Sequence, residues 1–170
     1  MVGCQGCGGV KFAYADPPYF GQGKKLYQRP EWDTVAEHAR LITWLQDQFP
    51  DGWVMSLSSP SLRHILPLCP EDCRVASWVK PFAVFKPNVN PAYAWEPVIF
   101  RGGRKGDRTR ATVRDWFSHV ITLKKGLTGA KPEAVCEWFI QLMGAEKGDT
   151  FYDVFPGTGI FSQTWNKFSG

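Results

Sequence analysis

Apolar residues along the 170-residue chain fall in short blocks separated by stretches rich in Gly, Pro and charge. The block Val10-Lys11-Phe12-Ala13-Tyr14-Ala15 predicts a strand that stops at Asp16-Pro17-Pro18-Tyr19, with a Gly-rich basic loop, Phe20 to Lys25, behind it. Val35, Leu41, Ile42, Leu45 and Phe49 recur at helical spacing, so a helix capped by Asp33 or Thr34 runs to about Phe49. Trp53 to Leu57 reads as a buried strand, Ser61 to Leu66 as a short helix ended by Pro67, and Arg74 to Val79 as a third strand. The Pro-rich stretch Lys80 to Ala94 leads to a fourth strand, Trp95 to Phe100. Beyond a basic Gly-rich loop, the pattern predicts a helix or turn around Thr112 to Phe117 and a strand over Val120-Ile121-Thr122-Leu123. Pro132 suits the first turn of a helix reaching about Met143, and Thr150 to Val154 is a last strand before a glycine turn and a final helix. Strands alternating with helices imply an α/β sheet, mainly parallel, in a single domain spanning 1–170.

Composition narrows the class. With 44% hydrophobic and 21% charged residues the chain is globular, and eight Trp with twelve Phe leave rings to spare for stacking on a planar ligand. A net charge of +4 permits a polyanionic partner. No apolar stretch approaches the roughly 18 residues of a membrane span, and the start Met1-Val2-Gly3-Cys4 lacks a signal segment, which implies a soluble cytoplasmic protein. Cys4 with Cys7 and Cys69 with Cys73 would suffice for a four-cysteine zinc site, but their separation is not that of a zinc ribbon and no His reinforces them, so the expectation is free thiols and no metal. His38, His64 and His119 lack partner spacing and read as structural.

Two motifs carry chemistry. In Asp16-Pro17-Pro18-Tyr19 the carboxylate accepts a hydrogen bond from an amine, the prolines stiffen the turn and leave backbone carbonyls free to accept another, and Tyr19 offers a stacking face. Asp153-Val154-Phe155-Pro156-Gly157-Thr158-Gly159 lies between an apolar strand and a helix. Its glycines admit close backbone approach to a ligand, and the helix N-terminus behind them favours an anionic or carboxylate group. It lacks the third glycine of the dinucleotide fingerprint and the Lys-Ser/Thr of a P-loop.

Together the motifs resemble those of S-adenosylmethionine-dependent amino-methyltransferases that act on adenine N6 or cytosine N4. Their order, catalytic turn first and glycine turn last, is similar to the circularly permuted members, and Gly129-Ala130-Lys131-Pro132 resembles an additional cofactor-binding motif. The stretches SLSSPSLR, WVKPFAVFKP, AYAWEPVIFRGGR and GLTGAKPEAV resemble small phage and actinobacterial adenine-specific methyltransferases. The resemblance implies a compact, permuted Rossmann-like methyltransferase fold and S-adenosyl-L-methionine as cofactor. It also implies a DNA substrate, with RNA, cytosine N4 or a non-catalytic nucleic-acid-binding role as alternatives, and the host cytoplasm as location if the chain is phage-encoded. Asp16, Pro17, Pro18 and Tyr19 would hold the target amine and base. Lys131, Asp153, Phe155, Pro156, Gly157, Thr158 and Gly159 would bind the cofactor, Lys131 meeting its carboxylate. The family's next strand, whose acid binds the ribose, has no counterpart after Gly170, so Asn166 is the candidate substitute and oligomerisation would cover exposed sheet edges. Recognition falls to loops. Tyr93 and Trp95 would wall the base pocket, and the basic loop 101–114, with Arg101, Arg104, Lys105, Arg108 and Arg110, would contact phosphates.

Overall fold

The computed structural model describes residues 9–82, 87–106, 109–122 and 130–170. Their elements run β1 (Lys11–Ala15), α1 (Val35–Gln48), β2 (Gly52–Ser56), α2 (Leu62–Ile65), β3 (Arg74–Val79), β4 (Trp95–Gly102), β5 (Trp116–Ser118), α3 (Glu133–Leu142), β6 (Thr150–Asp153) and α4 (Ile160–Ser169). The strands form one six-stranded sheet in the order β5-β3-β4-β2-β1-β6. β4 is antiparallel to both β2 and β3, whereas the β1–β2, β1–β6 and β3–β5 pairs are parallel, so the mainly parallel sheet expected from the pattern is present.

The alternation of side chains along β1 builds both halves of the core. Phe12 and Tyr14 face α3 and α4, where they join Val135, Phe139, Phe161 and Trp165. Ala13 and Ala15 face the other way, into a layer with Leu41, Ile42 and Leu45 of α1 and with Trp53, Met55 and Ile99. Burial on both faces is why these strands read as near-continuous apolar runs. Each fully buried large side chain contributes about 1.5–3 kcal/mol through lost apolar surface. α1 starts where expected: Thr34 caps it, its hydroxyl oxygen accepting from the Glu37 amide at 3.4 Å. None of the described helices is long and apolar enough to cross a membrane.

Two local expectations are corrected. The strand near 120 lies earlier, at Trp116–Ser118, where the pattern had suggested a helix or turn. Three residues suffice there because Phe117 stacks on Trp138 and pairs with Trp78 of β3, a tertiary contact no local period reveals. Residues 120–122 are not a strand, and Leu123 lies outside the described residues. The loop after Tyr19 also contains a helical turn, Gly23–Tyr27, whose Gly23 and Lys24 amides donate to the Asp33 carboxylate at 2.7 and 3.0 Å.

The topology fixes the position of a cleft. β1 and β6 lie side by side, Tyr14 opposite Asp153, although they stand near opposite ends of the sequence. The chain leaving β6 enters α4 on one face of the sheet, and the chain leaving β1 reaches α1 on the other. Adjacent parallel strands whose connections diverge in this way open a crevice beyond their carboxyl ends.

Candidate functional site

The crevice is a cavity of about 600 Å³, bounded by Tyr14, Asp16 and Pro18 on one side and by Asp153 to Thr158 on the other. That volume lies inside the roughly 300–1,000 Å³ range of small-molecule sites. Pairing of β1 with β6 therefore brings both sequence motifs to one place.

On the β1 side, Pro17 and Pro18 are buried and hold the turn, while Asp16 and Tyr19 stay half-buried. The Asp16 carboxylate accepts at Oδ2 from Lys131 Nζ, 2.8 Å away, and lies beside the Tyr19 hydroxyl at the cavity wall. Burial raises the Asp16 pKa and Lys131 opposes that rise; the net is a carboxylate more basic than usual. Tyr19 Oη accepts from Lys131 Nζ at 3.0 Å and donates to Glu96 Oε2 at 3.0 Å, so its ring is held by two contacts. Burial pushes the Tyr19 hydroxyl well above its ordinary pKa, keeping it a donor.

Lys131 itself is buried, in the segment just before α3. Burial lowers its pKa, but Asp16, Tyr14 and Glu96 outweigh that cost and hold it above the ordinary lysine value. Lys131 lines the cavity, as expected of a site residue, and there it pairs with Asp16 and donates to Tyr19.

On the β6 side, Gly157 and Gly159 adopt left-handed backbone (φ +45° and +73°), and Gly159 precedes α4 as its cap. Asp153 Oδ2 accepts from the Ser162 hydroxyl at 2.7 Å, whereas Asp153 Oδ1 is buried with no hydrogen-bond partner among the described residues. A buried acceptor without a donor costs about 1–3 kcal/mol, and Asp153 as a residue lines the cavity. Burial raises the Asp153 pKa, as Asp16 also does. The Asp153 oxygen, the exposed Gly157 backbone and the α4 N-terminus thus suit a ligand carrying an ammonium and a carboxylate. Gly159→Ala is expected to lower stability by about 1–2 kcal/mol, the cost of a Cβ in the left-handed region, measured by urea unfolding.

The remaining expected residues divide. Phe155, Pro156 and Thr158 line the cavity. Tyr93 and Trp95 stand at the same end of the sheet, 51% and 38% exposed, but outside the cavity. Asn166 is not brought to the cavity; it is exposed in the second half of α4, about 9 Å along the axis from the first residue of that helix.

The basic loop is not brought to the cavity either. It follows the far end of β4, about 20 Å along the strand from Glu96, and three of its arginines form ion pairs within the fold. Arg101 pairs with Asp72, Arg110 with Glu146, and Arg104 Nη2 reaches both Asp149 oxygens at 2.7 Å. Lys105 is exposed, and Arg108 lies outside the described residues. Arg104→Ala is expected to cost about 2 kcal/mol in urea unfolding, because Asp149 loses a charged donor while nearly buried.

Four residues escaped the sequence reading. Tyr27 and Arg29 line the cavity from the loop after Tyr19. Glu96 and Lys80 form an ion pair behind Tyr19. Their signal was a lone acid in the apolar strand Trp95-Glu96-Pro97-Val98 and a lysine directly after β3. Cys69 and Cys73 are half-buried free thiols, Cys4 and Cys7 lie outside the described residues, and no group of three or more metal-ligating side chains occurs among the described residues.

No protein-family model matches the chain, and no curated protein matches it. Solved structures do. M1.HpyAVI, in its complex with SAM, superposes with a TM-score of 0.61 at 17% identity, over 95% of this chain and 79% of that one. TTHA0409 of Thermus thermophilus, assigned as a DNA modification methylase and solved with S-adenosyl-L-methionine, gives 0.60 at 16% identity, over 95% and 77%. This chain has their fold. At these identities the likeness speaks for the methylase fold, and the chemistry rests on the residues around the cavity.

Proposed function

We propose that the chain transfers methyl from S-adenosyl-L-methionine to the exocyclic N6 amine of adenine in DNA. The observation that carries the reading is the single cavity joining the Asp16 turn to the glycine turn of 153–159. Both neighbours above are bound to this cofactor in their solved complexes, which supports the same ligand here.

When bound, S-adenosyl-L-methionine supplies an electrophilic methyl group. The Asp153 carboxylate would take the ligand's ammonium, and the backbone at Gly157 to Gly159 with the α4 N-terminus its carboxylate. Asp16 and the Pro17 carbonyl would accept the two amine hydrogens, concentrating the lone pair on nitrogen and aiming it into the cavity. Positioning and charge complementarity then carry the rate, so no strong general base is required. Tyr19, its hydroxyl anchored beside Lys131 but its side chain outside the cavity lining, would offer its ring to a base taken out of the stack, with Tyr27 and Arg29 at the cavity wall. We further propose that the chain order is permuted: β6, last in sequence, is the strand beside β1.

The test incubates the protein with deuteromethyl-labelled cofactor and duplex DNA, single-stranded DNA or RNA, then weighs the digested nucleosides. Labelled N6-methyl-2′-deoxyadenosine from DNA is expected. Label on cytosine N4, or on RNA alone, would replace the substrate assignment.

A further inference from the structure

Behind the Asp16 turn lies a row of four alternating charges drawn from separate segments. Lys80, just after β3, bonds Glu96 Oε1. Glu96, on β4, accepts the Tyr19 hydroxyl at Oε2 and stands 3.7 Å from Lys131 Nζ. Lys131 then reaches Asp16 at 2.8 Å. The side chains of Lys80 and Glu96 are only 12% and 18% exposed, and neither lines the cavity. Removing charges from water costs several kcal/mol per ion, which a purely apolar packing would avoid. Such a row has its clearest use in fixing the one member that faces the cavity.

We propose that Glu96 is a positioning residue: through Lys131 and Tyr19 it sets the orientation and basicity of Asp16, with Lys80 acting in the opposite sense. The effect on rate rests on the methyl-transfer reading; the electrostatic coupling does not. Asp16 faces Lys131 and Cys136 of the α3 segment, Glu96 of β4, Tyr14 of β1, Asp153 of β6, and Tyr19 and Tyr27 of its own loop. Of these Glu96 is an anion: burial disfavours its charge, but Lys131 and Lys80 more than compensate and hold its pKa below the usual value. Its negative charge repels a proton-free Asp16 and draws part of the Lys131 field away. Neutralising it lets Lys131 act on Asp16 alone, so the Asp16 pKa falls and the carboxylate becomes a poorer acceptor. Deleting the Lys80 cation has the reverse sign, leaving more uncompensated negative charge near Asp16 and raising its pKa.

The decisive experiment follows the Asp16 carboxyl carbon by NMR through a pH titration of the full chain, as wild type, Glu96→Gln and Lys80→Met. Glu96→Gln keeps the shape and one of the two acceptor oxygens while removing the charge, and its Asp16 midpoint is expected to fall by about one pH unit. In Lys80→Met it should rise. Opposite displacements are not what general loosening of the fold produces. Midpoints that stay put, or move together, overturn the proposal. In methyl-transfer assays Glu96→Gln should lose roughly tenfold or more in kcat, with the acid limb of its profile moved to lower pH. Should the wild type transfer no methyl while the two midpoints separate as expected, the methyl-transfer reading fails and the coupling stands.

Discussion

Asp16→Ala should abolish methyl transfer, lowering kcat by roughly 10³-fold, while donor affinity persists. The carboxylate lines the cavity just beyond the end of β1, with one oxygen held by Lys131. Its contribution is greatest when the nitrogen begins to share its lone pair and the N–H bonds become more acidic. Loss of the carboxylate therefore appears in kcat rather than in KM. The donor side is built from other residues: Asp153, the glycine turn and the start of α4. Calorimetric titration of the variant with S-adenosyl-L-methionine checks the division. Collapse of donor affinity would move Asp16 to the cofactor side and undo its assignment.

Lys131→Met is expected to be the most damaging change to the fold. The ammonium is buried and neutralises Asp16 and Glu96 together, at 2.8 and 3.7 Å, while donating to Tyr19 at 3.0 Å. Removing one partner of a buried ionic group typically costs about 3–5 kcal/mol, against a total of about 5–15 kcal/mol for a domain. The loss should depend on pH in a defined sense. In the wild type the folded-state pKa of Glu96 is depressed, so its share of stability is present above the unfolded value and lost as pH falls. In the variant, Asp16 and Glu96 face each other with less positive charge, and their folded-state values rise. Their penalty then exists only above the unfolded values and disappears as the carboxyls protonate. The gap between wild type and variant in urea unfolding should thus be widest near neutral pH and narrow on acidification to about pH 4. A gap independent of pH would mean that Lys131 acts by packing alone.

The parts of this site legible in the sequence are those whose chemistry is local. A strand that ends in Asp16-Pro17-Pro18-Tyr19 and a strand that ends in a glycine turn each announce themselves within seven residues. Their meeting in one cavity followed from the resemblance, and the β1–β6 pairing supplies the physical cause. What stayed hidden depends on contacts distant in sequence. Glu96 gains its place because β4 runs antiparallel between β2 and β3 and carries it behind Tyr19. The ion pairs of Arg101, Arg104 and Arg110 were invisible because their acids, Asp72, Asp149 and Glu146, lie 29 to 45 residues away. Lys131 was assigned to the site and lines the cavity, but its pairing with Asp16 stayed hidden, since a lysine's reach from a helix start says nothing about which carboxylate the fold delivers. β5 escaped for the same reason: its three residues are a strand only in the presence of β3 and Trp138.

The central claim is that one cavity holds a methyl donor against an amine gripped by Asp16. Single-turnover transfer of tritiated methyl from S-adenosyl-L-methionine to DNA tests it directly. The account requires tritium to leave the donor and appear in adenine at N6, with the signal lost in Asp16→Ala. Donor bound at the cavity with no label in any nucleic acid would contradict it.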